Sequence, residues 1–182
     1  MAGDAEVTSV GDEFLDGCSM LTALDLTPLE KLTSVGHRFG GCAGLTELDL
    51  TALTQLTSVG DKFLEDCSKL TALDLKPLAH LSNVNDCFLH DCYGLTALDL
   101  TPLAHLSAMG HRFLRGCSAL TALDLAPLSH LTSVGQMFLC CSGLTALGLT
   151  PLAHLIETGA GFLYGCSGLT AMDLSVLEGR DN

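Results

Sequence analysis

Cysteine returns along this chain at a fixed interval. Cys18, Cys42, Cys67, Cys92, Cys117, Cys141 and Cys166 are separated by 24, 25, 25, 25, 24 and 25 residues. So strict a period dictates a stack, because each unit is one supersecondary piece that buries its apolar face only against copies of itself. The other residues obey the same register. All seven phenylalanines fall in one column (Phe14, Phe39, Phe63, Phe88, Phe113, Phe138, Phe162) and all five prolines in another (Pro28, Pro77, Pro102, Pro127, Pro151). Seven units fill about 7–177 and leave a short tail at 178–182, so one domain over 1–182 is expected.

The unit reads approximately L-x-x-V-G-x-x-F-L-x-x-C-x-x-L-T-x-L-D-L-x-P-L-x-x. In Leu21-Thr22-Ala23-Leu24-Asp25-Leu26 the last two leucines alternate with polar or small residues, the period of a strand with one buried face. The proline that follows cannot donate to a ladder and ends it. A glycine column (Gly11, Gly36, Gly60, Gly110, Gly135, Gly159) is broken only by Asn85. Gly replaced by Asn alone predicts a tight corner at positive φ.

This unit resembles the leucine-rich repeats, more narrowly the cysteine-containing bacterial-surface-antigen (Treponema-like) subclass with its V/I-G-x-x-x-F-x-x-C-x-x-L pattern. The resemblance runs from Val7 to about Leu177. It implies a repeat solenoid: a curved right-handed coil with a parallel sheet of about seven short strands on the concave face and turns or short helices on the convex side. Such a pattern is specific for fold and nearly silent on activity.

Acidic residues outnumber Lys plus Arg by 21 to 8. Phosphate backbones are bound by clustered cations, so nucleic acid is not an expected partner and a basic protein is. No apolar run reaches the roughly 20 residues of a membrane helix, so no membrane insertion is expected. "MAGDAEVTSVGDEF" carries no basic segment followed by an apolar stretch, so no signal peptide is visible. Nine cysteines without an even framework favour a reducing setting. Together these predict a cytoplasmic location, or a surface one if a leader preceded this sequence.

The column that invites a functional reading is Asp25, Asp49, Asp74, Asp99, Asp124 and Asp173, broken by Gly148. Flanked by inward leucines, these carboxylates point out between small Ala and Thr positions. Stacking like charges costs stability, so the column is expected to serve as a concave acidic track for a basic segment of another protein. A second column, Lys31, Gln55, His80, His105, His130 and His154, sets four imidazoles on consecutive rungs. It offers an alternative, a metal- or pH-responsive edge, while His37 and His111 look incidental. The repeat cysteines read as small buried hydrophobes, with Cys87 and Cys140 as the exposed, oxidisable thiols. The complete Thr column, including Thr71, Thr96, Thr121 and Thr145, suits hydroxyl bonding along a ladder.

No phosphate loop, nucleophile elbow or zinc-protease motif is present. A non-enzymatic scaffold without cofactor is therefore expected. An uncovered strand edge near Leu169–Leu174 adds the further alternative of end-to-end self-association, or of a piece of a longer array.

Overall fold

The computed structural model describes residues 6–177; the tail at 178–182 and Asp4 of the acidic start lie outside them. The chain coils into a repeat solenoid around one continuous apolar cluster of Leu, Val, Phe and Cys side chains. Among the described residues no polar or charged side chain is buried. The Phe column forms the spine. Successive rings stack with centroids 5.4 to 6.0 Å apart and planes within 16° of parallel, inside the range where aromatic pairs attract.

The strands lie one segment later than the leucine pattern predicts. They are the two-residue pieces β1 (Ser9–Val10), β2 (Ser34–Val35), β3 (Ser58–Val59), β4 (Ala108–Met109), β5 (Ser133–Val134) and β6 (Glu157–Thr158). They pair in parallel as two sheets, β1-β2-β3 and β4-β5-β6. In the L-x-x-L-x-L segment the expected alternation holds, with Leu48 and Leu50 buried on either side of exposed Asp49. No strand forms there, because each segment runs at once into a 3₁₀ turn such as Thr27–Leu29 or Thr101–Leu103. The pairing that remains is sparse. Thr96 and Thr145 donate backbone N–H and hydroxyl to the carbonyls of Thr71 and Thr121, the ladder role expected of that column.

The glycine column turns the corner for a different reason from the one its composition predicts. Positive φ falls elsewhere, at residues such as Lys62, Leu64, Arg112 and Leu114. The glycines are needed because the coils almost touch. A Cβ on Gly60 would lie 2.5 Å from the backbone carbon of Gly36, and one on Gly135 would lie 2.5 Å from the backbone nitrogen of His111.

Asn85 cannot approach so closely, and its side chain compensates. At Gly36, Gly60, Gly110, Gly135 and Gly159 the backbone N–H donates to the strand carbonyl of the coil before. At Asn85 the side-chain Nδ2 donates to the Val59 carbonyl instead, at 2.9 Å. The sheet splits there, leaving Val84 joined to Met109 by a lone bridge.

Beyond the corner, residues at positive φ turn successive peptides in opposite directions. Lys62 N–H bonds forward to the Asp86 carbonyl, whereas Leu64 N–H bonds back to the Phe39 carbonyl. Non-Gly residues at left-handed φ cost roughly 1–2 kcal/mol each, so a stretch rich in them needs a bond for every exposed group. The cysteines supply one. Cys67, Cys92, Cys117 and Cys141 each donate S–H to the carbonyl of the left-handed residue in the coil before: Gly40, Leu64, Leu89 and Leu114. Burial pushes the Cys67 thiol up to about 11 and the Cys117 thiol up to about 12, so both keep the proton they donate.

Candidate binding surface

The exposed Asp column is built into the fold before it can bind anything. Oδ1 of Asp25, Asp49, Asp74, Asp99, Asp124 and Asp173 accepts the backbone N–H two residues on, at 2.8 to 2.9 Å. That N–H belongs to the first residue of each 3₁₀ turn, a donor the turn itself cannot satisfy. Asx turns of this kind are a known use of Asp. Where the acceptor's partner also carries a hydroxyl, the effect on ionisation is direct. The hydroxyl and N–H of Thr27 hold Asp25 below the usual carboxylate range; Thr101 does so for Asp99 and Ser175 for Asp173, while for Asp49 the N–H of Thr51 leads. Gly148 leaves Thr150 without this cap.

The turn bond uses one oxygen of each carboxylate. Oδ2 of Asp74 is 3.8 Å from Lys76 Nζ. Asp49, Asp74 and Asp99 line a shallow groove of about 900 Å³ with Thr46, Thr71, Ala72 and Ala97. The carboxylates face outward between small side chains, but they lead into 3₁₀ turns and do not sit on the parallel sheet where the sequence reading placed them.

The His column is exposed at His80, His105, His130 and His154. His130 and His154 border one groove, and His105 Nε2 lies 2.7 Å from the Leu81 carbonyl. None of the four joins a cluster of three or more potential ligands among the described residues.

Of two expectations about the opposite edge, one is corrected and one holds in part. Cys87 is 3 % exposed, because its left-handed backbone turns the thiol inward beneath Arg112, whose Nη1 is 3.9 Å from Sγ. Cys140 is half-buried and bonds the Gly161 carbonyl. Six of the nine thiols are buried and Cys18, Cys140 and Cys166 are half-buried, so nothing in the structure supports the cytoplasmic expectation.

Nor are His37 and His111 incidental. Asp12 Oδ1 accepts His37 N–H, His37 Nδ1 accepts Asp61 N–H, Asp61 Oδ1 accepts Asp86 N–H, Asp86 Oδ1 accepts His111 N–H, and His111 Nδ1 accepts Gln136 N–H. Asp12, His37, Asp61, Asp86 and His111 thus serve in succession as side-chain acceptors, each holding the next coil.

Beside that ladder lies a polar chain that sequence reading missed. Lys62 Nζ is 3.0 Å from Glu65 Oε2, Glu65 Oε1 is 2.8 Å from His90 Nδ1, and His90 Nε2 is 2.7 Å from Arg115 Nη1. Burial disfavours the Glu65 charge, but the bonds from His90 and Lys62 outweigh it and hold the carboxyl below its usual range. The available signal was slight: Asn85 and Cys87 stand out in one coil, while Glu65 and His90 fall at a position where every coil carries a different residue.

Comparison with known proteins agrees with the coil geometry. The family model for the BspA-type leucine-rich repeat region matches residues 4–102 in six copies, more than half of the sequence. The chain belongs to the BspA-type leucine-rich repeats. No curated protein matches it. A leucine-rich cell surface protein from Faecalibacterium prausnitzii is similar in structure, with a TM-score of 0.61 and 18% identity over 91% of this chain and 42% of that one. A leucine-rich repeat protein from Bacteroides ovatus gives 0.52 and 20% identity over 91% of this chain and 46% of its own. This BspA-type chain thus spans less than half the length of either relative. Leucine-rich repeats of this family are, as a class, protein-interaction modules rather than enzymes. Among the described residues no helix is long and apolar enough to cross a membrane.

Proposed function

We propose that this BspA-type domain is a non-enzymatic scaffold that takes a basic segment of a partner protein along its Asp column. The observation that carries this reading is the groove at Asp49, Asp74 and Asp99. Oδ1 of each carboxylate is committed to a turn and is therefore fixed in position, and the three residues line the groove beside Ala and Thr side chains, where Lys76 already reaches Asp74 Oδ2 and a partner's cation would take its place. A row of preoriented carboxylates suits Lys or Arg side chains, and complementary charge raises both association rate and selectivity. The anchoring apolar contacts would come from the partner, since the strip offers no aromatic residue.

The caps dictate how to test this. Replacing Asp74, Asp99 and Asp124 together by Asn removes three charges and keeps an Oδ1 acceptor, because Asn caps turns as well as Asp does. Binding of an identified partner, or of an extended Lys/Arg-rich peptide at low salt, should weaken at least about tenfold in this variant and weaken in the wild type as salt rises. Equal binding by both proteins at matched melting temperature refutes the acidic track and leaves the column as a set of turn caps.

A further inference from the structure

Glu65, Cys87 and His90 bring three different donors together on adjacent rungs: a carboxylate oxygen, a thiol sulfur and a ring nitrogen, all within 4.8 Å of one another. Among the described residues no other three His, Cys, Asp or Glu side chains converge in this way. The three sit at the rim of the core, with Cys87 buried beneath the half-buried Glu65 and His90.

We propose that Glu65, Cys87 and His90 bind one divalent transition-metal ion of the zinc class, with water as the fourth ligand.

The donor set is the mixed N, S and O set zinc accepts, and three protein ligands plus water is a common open zinc arrangement. Zinc–donor lengths of about 2.0–2.3 Å put tetrahedral donors about 3.3–3.7 Å apart. The Glu65 Oε1 to His90 Nδ1 distance of 2.8 Å must therefore open slightly, and the widest separations must contract by about 1 Å.

The surrounding groups fit the charge and proton balance. Arg115 can only donate, so its contact at His90 Nε2 places the ring proton on Nδ1, facing Glu65. Metal binding breaks the Cys87 S–H bond, forms the metal–sulfur bond and releases that proton to solvent. The His90 proton moves from Nδ1 to Nε2, Nδ1 becomes the ligand, and Arg115 turns aside. Nε2 then faces Asp91 Oδ2, 3.5 Å away, the carboxylate partner that metal-bound imidazoles usually have. Glu65 Oε2 retains Lys62; burial pushes the Cys87 thiol up, and the Arg112 guanidinium and the bound cation work against that push. Thiolate and carboxylate together neutralise the ion.

The test is titration of the reduced protein with Co²⁺, followed by displacement with Zn²⁺ in competition with a chromophoric chelator. One equivalent should bind with a thiolate-to-cobalt charge-transfer band and release about one proton per ion. Cys87→Ser should abolish the band and lower affinity more than about 100-fold. Asp91→Asn, which suits the left-handed backbone there, should lower affinity about 10-fold. A His105→Gln/His130→Gln/His154→Gln variant should bind as the wild type does. Should Cys87→Ser fail to fold, His90→Gln at the half-buried rim replaces it, with the same loss of affinity and a shifted cobalt spectrum. The proposal is overturned by a wild type that shows no band, by a band surviving Cys87→Ser or unchanged in His90→Gln, or by loss of binding in the triple-His variant.

Discussion

The strand side and the Asp side of this solenoid are made from the same period and hold it in opposite ways. On the strand side the bonds run between coils. Gly60 and Gly135 lie so close to the preceding backbone that one methyl group would collide with it, and each glycine N–H completes a bond to the neighbouring coil. On the Asp side the recurring bond stays within a coil, from Oδ1 to the N–H two residues later. Cross-coil bonds there are few, and the surface opens into a groove. One side clamps coil to coil, and the other shapes each coil and leaves room beside it. A repeat can therefore tolerate change on the Asp side that it cannot tolerate at the glycines.

The largest test of that contrast is Gly135→Ala. The added Cβ meets His111 and Gly110 backbone atoms at 2.5 to 2.7 Å, and backbone cannot swing away as a side chain can. We expect a loss of about 1–3 kcal/mol, read as a fall in Tm of several degrees. Gly148→Ala on the other side meets nothing within 4 Å and should be neutral or mildly stabilising. Equal losses at the two positions would remove the distinction.

Much of the fold was legible, and the misreadings share a cause. The Phe and Cys columns announced a stack, and the rings do stack. A glycine column, however, says only that a Cβ is forbidden. It does not say whether φ or a neighbouring backbone forbids it. Asn85 looked like evidence for positive φ, yet its amide acts as a stand-in donor to Val59. The Asp column was read for its charge, while its first duty is as a local acceptor; the Asp-Leu-Thr-Pro order was the available sign. Cys87 was visible as an outlier, but its meeting with Glu65 and His90 depends on a backbone turn that no spacing rule encodes.

A smaller effect separates cap from charge. Asp124→Ala leaves the Ala126 N–H without its acceptor and should lower Tm by about 2–4 °C. Asp124→Asn should recover nearly all of that loss. Acid should act in the same direction as Asp124→Ala. The carboxyls of Asp25, Asp49, Asp99 and Asp173 are held below their ordinary value by turn bonds. Their contribution is therefore complete above the ordinary Asp range near about 3.9 and fades as pH falls through the lower folded-state values. The part of the melting-temperature loss carried by these carboxyls is expected below about pH 4.5.

The smallest effect is a gain. Gly148 interrupts the Asp column at an exposed position with open space around its α-carbon and no left-handed backbone. Thr150, first residue of the next 3₁₀ turn, has glycine where the other turns have an Asp acceptor two residues before. Gly148→Asp supplies the missing acceptor and restricts the unfolded chain, and each change favours folding. Against them stands one more carboxylate beside Asp124 and Asp173, a repulsion that salt screens. We expect a net gain of about 0.5–1 kcal/mol that grows with ionic strength, whereas Gly148→Asn should gain without that salt dependence. If Gly148→Asp destabilises at every salt concentration, crowding of charge governs the Asp side. The column would then exist at a cost to the fold, and its retention would count further toward a bound cation-bearing partner.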